Sequence, residues 1–209
     1  MAAPGSPEPR PAPRIAAVVL AAGRSTRAGD INKLTALIDG VPMVARVLAR
    51  IRASQADPVI VVTGHEAARV RAALSETDVT FAHNPDYAQG MATSIAAGIE
   101  ALPGGLDGAL ICLGDMPGIE AAEIDRLIGA FDPMGGAAIC IPVADGRRGN
   151  PVLFAARFFD ELKALAGDSG AKSVIAAHGD AVAEVAMAGS GTLIDLDTQE
   201  AIAGYGRSE

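Results

Sequence analysis

A chain of 209 residues has room for one α/β domain with a full core and is short for two. Half of its residues are hydrophobic but only 3% are aromatic, and the formal charge is −8, so neither base-stacking platforms nor a surface for a phosphate backbone is expected, and nucleic acid is excluded as a partner. No apolar stretch approaches the ~20 residues that span a bilayer, which excludes a membrane role of that kind.

Residues 1–14 are rich in Pro and Ala and lack an apolar centre, so they are no secretory signal and read as a disordered tail before a single domain over 15–209. The apolar run 15–21 reads as a strand. It feeds a small-residue loop, Leu20-Ala21-Ala22-Gly23-Arg24-Ser25-Thr26-Arg27, with Asn32-Lys33-Leu34 beyond it. Strand, glycine-containing turn and clustered cations are how a parallel sheet presents a phosphate site at its carboxyl edge. The glycine admits backbone N–H groups to a phosphate, and Arg24, Arg27 and Lys33 neutralise it. Against an acidic background, these cations suit a small anionic ligand. Gly23 and Gly29 stand too far apart for a dinucleotide fingerprint, and Lys33 lacks the Gly-Lys-Ser/Thr context of a P-loop.

Helical periodicity over 43–53, 66–74, 91–102 and 120–131 alternates with strand-like runs over 58–63, 79–82, 109–113 and 137–142. The alternation predicts βαβ units, hence a mostly parallel sheet with helices on both faces. Ligands on such sheets bind beyond the carboxyl ends of the strands, which directs attention to Gly64-His65, 84–91, 114–117 and 142–151. Asp115 follows the run 109–113 and a glycine, where a carboxylate facing a cationic phosphate loop suits Mg²⁺. The loop from Asn84 to Gly90 opens a helix whose Thr93 and Ser94 offer hydroxyls to a nucleotide or to the helix end itself. Past residue 145 the pattern loosens into loops between helices at Gly149-Asn150-Pro151 and Gly167-Asp168-Ser169-Gly170-Ala171-Lys172, the latter suited to a second phosphate. Residues 192–194 read as a short strand ending at Asp195-Leu196-Asp197, where Asp197 fits a helix cap and a metal ligand equally well. Cys112 and Cys140, each inside an apolar run, read as buried thiols of a reduced, cytoplasmic protein. His65, His83 and His178 share no metal-ligand spacing.

Together these segments resemble the MobA-like nucleotidyltransferases, most closely the molybdenum cofactor cytidylyltransferases, over about 14–203 and with every motif in order. The resemblance implies a Rossmann-like nucleotidyltransferase fold. It makes Leu20, Ala21, Ala22, Gly23, Arg24, Ser25, Arg27, Lys33, Gly64, Asn84, Gly90 and Ser94 nucleotide-binding. Asn150, Pro151, Asp168, Gly170 and Lys172 become substrate-binding, and Asp115 and Asp197 metal-binding, with Arg24, Lys33 and Asp115 carrying catalysis. The chain departs from the family at Ala28, where Met is usual, at Lys172, where Arg is usual, and after Thr198, where Pro is usual. The guanylyl-transferring branch carries two glycines where this chain has Ala22-Gly23; the Ala22 methyl is expected to narrow the pocket floor and favour CTP over GTP. The implied partners are CTP (or GTP), Mg²⁺, molybdopterin cofactor and a recipient molybdoenzyme. A sugar-phosphate nucleotidyltransferase and a non-catalytic cofactor carrier are the competing readings. A carrier has no need of a triphosphate loop together with a metal carboxylate.

Overall fold

The computed structural model describes residues 12–24, 32–168, 170–189, 191–193 and 205. In chain order the elements are β1 (Ile15–Ala21), β2 (Leu37–Ile38), β3 (Val41–Pro42), α1 (Met43–Arg52), β4 (Val59–Thr63), α2 (Ala67–Ala73), β5 (Thr80–His83) and α3 (Met91–Glu100). They continue with β6 (Gly108–Leu113), α4 (Ala121–Ala130), β7 (Ile139–Ala144), β8 (Arg147–Arg148), β9 (Val152–Ala155), α5 (Phe159–Lys163), α6 (Lys172–Ala177) and β10 (Val182–Ala186). Residues 1–11 of the expected tail lie outside the described residues. Arg14, at its end, is anchored: its N–H donates to Asp107 Oδ2 at 2.8 Å and its guanidinium to the Gly105 carbonyl at 3.0 Å.

The main sheet runs β10-β7-β9-β6-β1-β4-β5, with β8 paired to β7. β9 lies antiparallel between β6 and β7, β8 is antiparallel to β7, and every other pairing is parallel. β1 and β4 are buried along nearly all their length because helices cover both faces, which is why 59–62 is a continuous Val/Ile run without alternation. On one side α1 packs on β1 and meets α2 and α4; on the other, α3 packs on β1 and β4 and meets α5. Gly98 lets α3 come that close: a Cβ there would stand 2.2 Å from Val18 Cγ1 and 3.0 Å from Val62 Cγ2.

The chain leaves β1 toward β4 and β5, then returns to lay β6 on the opposite side of β1. A crevice opens where strand order reverses in this way, outside the carboxyl ends of the two strands. Two expectations for the C-terminal third are corrected. The stretch past 145 is not loops between helices, since β8, β9 and β10 lie in it. Nor do residues 192–193 form a strand; Gly191–Leu193 is a 3₁₀ turn that docks through one backbone bond, Asn150 N–H to the Thr192 carbonyl at 3.0 Å.

Candidate functional site

The reversal crevice holds Lys33 and Asp115. Asn32 starts the short 3₁₀ turn Lys33–Thr35 by accepting the Leu34 N–H on its side-chain oxygen at 3.1 Å, which fixes the direction in which Lys33 leaves the chain. Asp115 is placed by Gly114, whose N–H donates to the Leu20 carbonyl at 3.0 Å and thereby extends the β1–β6 ladder past Leu20 and Leu113. The Lys33 ammonium and the Asp115 carboxylate form an ion pair, with side chains only 12% and 18% exposed. A lysine and a carboxylate distant in sequence thus meet at the mouth of the sheet. Gly23, beyond the end of β1, has no described atom within 4 Å of where a Cβ would stand.

Beside this pair, Ala21 continues β1 opposite Thr63, and Ala22 accepts the His65 N–H at 3.0 Å. The Ala22 methyl is buried against Gly64, where an added Cβ would stand 2.9 Å from Ala22 Cβ and 2.7 Å from Tyr87 Cβ. Tyr87 lies over this corner, its ring 5.8 Å from that of His65 and 5.6 Å from the Arg24 guanidinium carbon. Tyr87 was not among the expected site residues. The available signal was a tyrosine inside a turn-rich loop of a chain that has only two.

The Asn84–Ser94 segment is held from within. Asn84, 2% exposed, donates from its amide to Thr93 Oγ1 at 2.9 Å and Ser94 Oγ at 3.0 Å and accepts the Asp86 N–H at 2.9 Å. The far loop closes on the same helix start: Asp168 Oδ1 accepts the Met91 N–H at 3.2 Å and the Gly167 carbonyl the Ala92 N–H at 3.1 Å. Two of the N–H groups that α3 would otherwise leave unpaired are capped by a segment far along the chain. Gly90 makes the closure possible, with φ +118 and no room for a Cβ, which would stand 2.6 Å from both Asp168 Oδ1 and the Gly167 carbonyl oxygen. Gly170 adjoins Met91 Sδ, whereas Lys172 stands exposed at the first position of α6. Asp168 and Gly170 therefore meet the nucleotide-loop candidates.

Asn150 and Pro151 lie across from β6, sharing with Cys112, Leu113 and Met116 the lining of a cavity of about 10 Å³, room for about one water and far too small for a substrate. Burial pushes the Cys112 thiol up to about 12 and that of Cys140 up to about 11; both are unpaired, buried packing residues. Among the described residues no three His, Cys, Asp or Glu side chains converge on a common point. Ser25, Arg27, Asp195 and Asp197 lie outside the described residues, as does Ser169. No helix among the described residues is long and apolar enough to cross a membrane.

Residues 17–182 match the family model described as the MobA-like NTP transferase domain. Bifunctional protein GlmU of Kineococcus radiotolerans is 33% identical over 138 residues, covering 65% of this chain and 28% of that protein. GlmU of Cupriavidus necator is 40% identical over 115 residues, covering 53% and 24%. The chain thus spans about a quarter of the length of these curated relatives. Among solved structures, a nucleotidyl transferase from Methanothermobacter superposes with a TM-score of 0.81 at 25% identity, covering 93% of this chain and 96% of that one. Rv0371c of Mycobacterium tuberculosis superposes with a TM-score of 0.78 at 28% identity, covering 94% and 100%, and has also been solved in complex with manganese.

Proposed function

Because the chain belongs to the family of MobA-like NTP transferase domains, we propose that it is a nucleotidyltransferase whose centre is the crevice at the ends of β1 and β6. The observation that carries this reading is the Lys33–Asp115 pair at the point of strand-order reversal, beside the ends of β1 and β6. In the specific reaction proposed, CMP passes from CTP to the terminal phosphate of molybdopterin cofactor. A phosphate oxygen of the acceptor attacks the α-phosphorus in line, the bond from that phosphorus to the bridging oxygen breaks, and the electron pair leaves with pyrophosphate. The nucleophile is already ionised, so no strong general base is needed; catalysis is positioning and charge neutralisation. Arg24 and Lys33, with Arg27, hold the triphosphate and offset the charge gathering on pyrophosphate.

Asp115 suits Mg²⁺, which binds through one or two carboxylates plus phosphate oxygens, with Asp197 the proposed second carboxylate. The manganese complex of the Mycobacterium tuberculosis protein supports a divalent cation on this fold. Bound there, Mg²⁺ would neutralise charge on the attacking and leaving oxygens. Asn84, Gly90 and Ser94 are proposed to meet the nucleoside, and Asn150-Pro151 and the loop bearing Asp168, which closes on the start of α3, to meet the acceptor. CTP is preferred to GTP on the resemblance at Ala22-Gly23. With the Ala22 methyl buried under Tyr87 and Gly64, that preference acts through the packing of this corner. The test is pyrophosphate release by the purified protein with Mg²⁺ and molybdopterin cofactor, comparing CTP with GTP. Release with CTP and a cytosine dinucleotide product is expected. Release with GTP alone reassigns the base, and release only with a sugar phosphate in place of the pterin reassigns the acceptor. Nucleotide binding with no release on any acceptor favours the carrier.

A further inference from the structure

We infer that Tyr87 is a positioning residue for the triphosphate, holding the Arg24 guanidinium over its ring and locking the loop after β1 to the end of β4. The inference rests on the nucleotidyltransferase reading above and adds a residue to it. Three observations converge. The Arg24 guanidinium carbon lies 5.6 Å from the Tyr87 ring centroid, within the reach of a cation–π contact. Gly64 leaves no space for a side chain between Tyr87 and Ala22, so ring, β4 terminus and β1 loop are in direct van der Waals succession. His65 fixes the same corner twice, by its N–H on the Ala22 carbonyl and by its ring against Tyr87.

Arg24 is an exposed, rotamer-rich side chain at the mouth of the sheet. Without a surface to lie on, ordering its guanidinium on a phosphate costs side-chain entropy. A ring already beneath it removes part of that loss before the nucleotide arrives, and it uses the π-face, leaving the guanidinium N–H groups for phosphate oxygens. Tyr87 is itself fixed by its 3₁₀ turn Tyr87–Gln89, which follows directly on the Asn84 network. The segment that meets the nucleoside would thus also set the geometry of the phosphate side.

A double-mutant cycle read by calorimetric titration with CTP and with inorganic pyrophosphate, in Mg²⁺, tests this. Tyr87→Phe keeps the ring and is expected to bind as wild type. Tyr87→Met fills the space without a π-face and is expected to weaken binding of both ligands by a factor of about two to five, the range an exposed cation–π contact supplies. It should raise KM for CTP with kcat little changed. In an Arg24→Met background, Tyr87→Met is expected to cost nothing further. That non-additivity is absent if Tyr87 only supports the fold. Gly64→Ala, which displaces the ring without removing it, is expected to reproduce the Tyr87→Met loss. Wild-type affinity in Tyr87→Met, or a loss that adds in full to that of Arg24→Met, overturns the inference alone. A wild-type protein that binds neither CTP, GTP nor pyrophosphate overturns the nucleotidyltransferase reading together with it.

Discussion

Asn84 organises a whole loop through one buried amide, because each of its two kinds of polar atom is used: the nitrogen on two hydroxyls of α3, the oxygen on the turn at Asp86. Asn84→Ala leaves these partners to find water or go unpaired. It is expected to lower stability by about 1–3 kcal/mol in urea denaturation and to weaken nucleotide binding through the displaced loop. An unchanged midpoint would show the amide to be dispensable. Gly98→Ala tests packing of a different kind, since the added methyl would meet Val18 at the sheet centre. A loss of about 1–3 kcal/mol is expected from overpacking, although alanine is the better helix former. The two residues differ in how they could be read from sequence. Asn84-Pro85 announced a turn at a strand end, whereas nothing around Gly98 in the chain indicates that a β1 side chain comes to lie against it.

Helix starts show how elements far apart in the chain are joined. Asp168 caps α3 from across the molecule, and Asp168→Ala is expected to cost about 0.5–2 kcal/mol, measurable by thermal or chemical melting; no change would mean that water serves the Met91 N–H as well. At the start of α4 the Glu123 carboxylate accepts the Glu120 N–H at 3.0 Å, and burial raises it above the ordinary value of 4.5. A carboxyl raised by folding binds its proton more tightly in the folded state, so its contribution to stability falls as pH rises through 4.5 toward the folded value. Glu123→Gln, which keeps an acceptor, is therefore expected to gain on wild type between pH 4 and pH 7 in denaturant titrations. An equal difference at both pH values would contradict the shift. The helices up to α4 and the parallel strands up to β7 were legible because each carries a helical period or a continuous apolar run; β10, parallel to β7, was not. β9 was not: its four residues form a short apolar run whose antiparallel place between β6 and β7 depends on strands distant in sequence. The residues 192–193 carry strand-like propensity, but the turn they form follows from docking on Asn150.

At the scale of the molecule, a net acidic chain gathers a small cationic site where a parallel sheet reverses its strand order. The loops bearing Lys33 and Asp115, after β1 and β6, were legible because a parallel sheet sends all its carboxyl ends to one edge. Their direct pairing was not, because it depends on the β1–β6 register and on the Asn32 turn. The same holds for the Arg24–Tyr87 contact, which joins two loops only after β4 has been laid beside β1. If the crevice is the reaction centre, the partly buried Asp115 is a residue of chemistry, and removing its charge should spare the fold. The most direct test is the turnover of Asp115→Asn with Mg²⁺, CTP and acceptor, taken together with its melting temperature. A loss of activity of at least about a hundredfold, the scale of removing a key electrostatic group, is predicted, with melting within a few degrees of wild type. A folded Asp115→Asn protein that turns over at close to the wild-type rate would contradict the account.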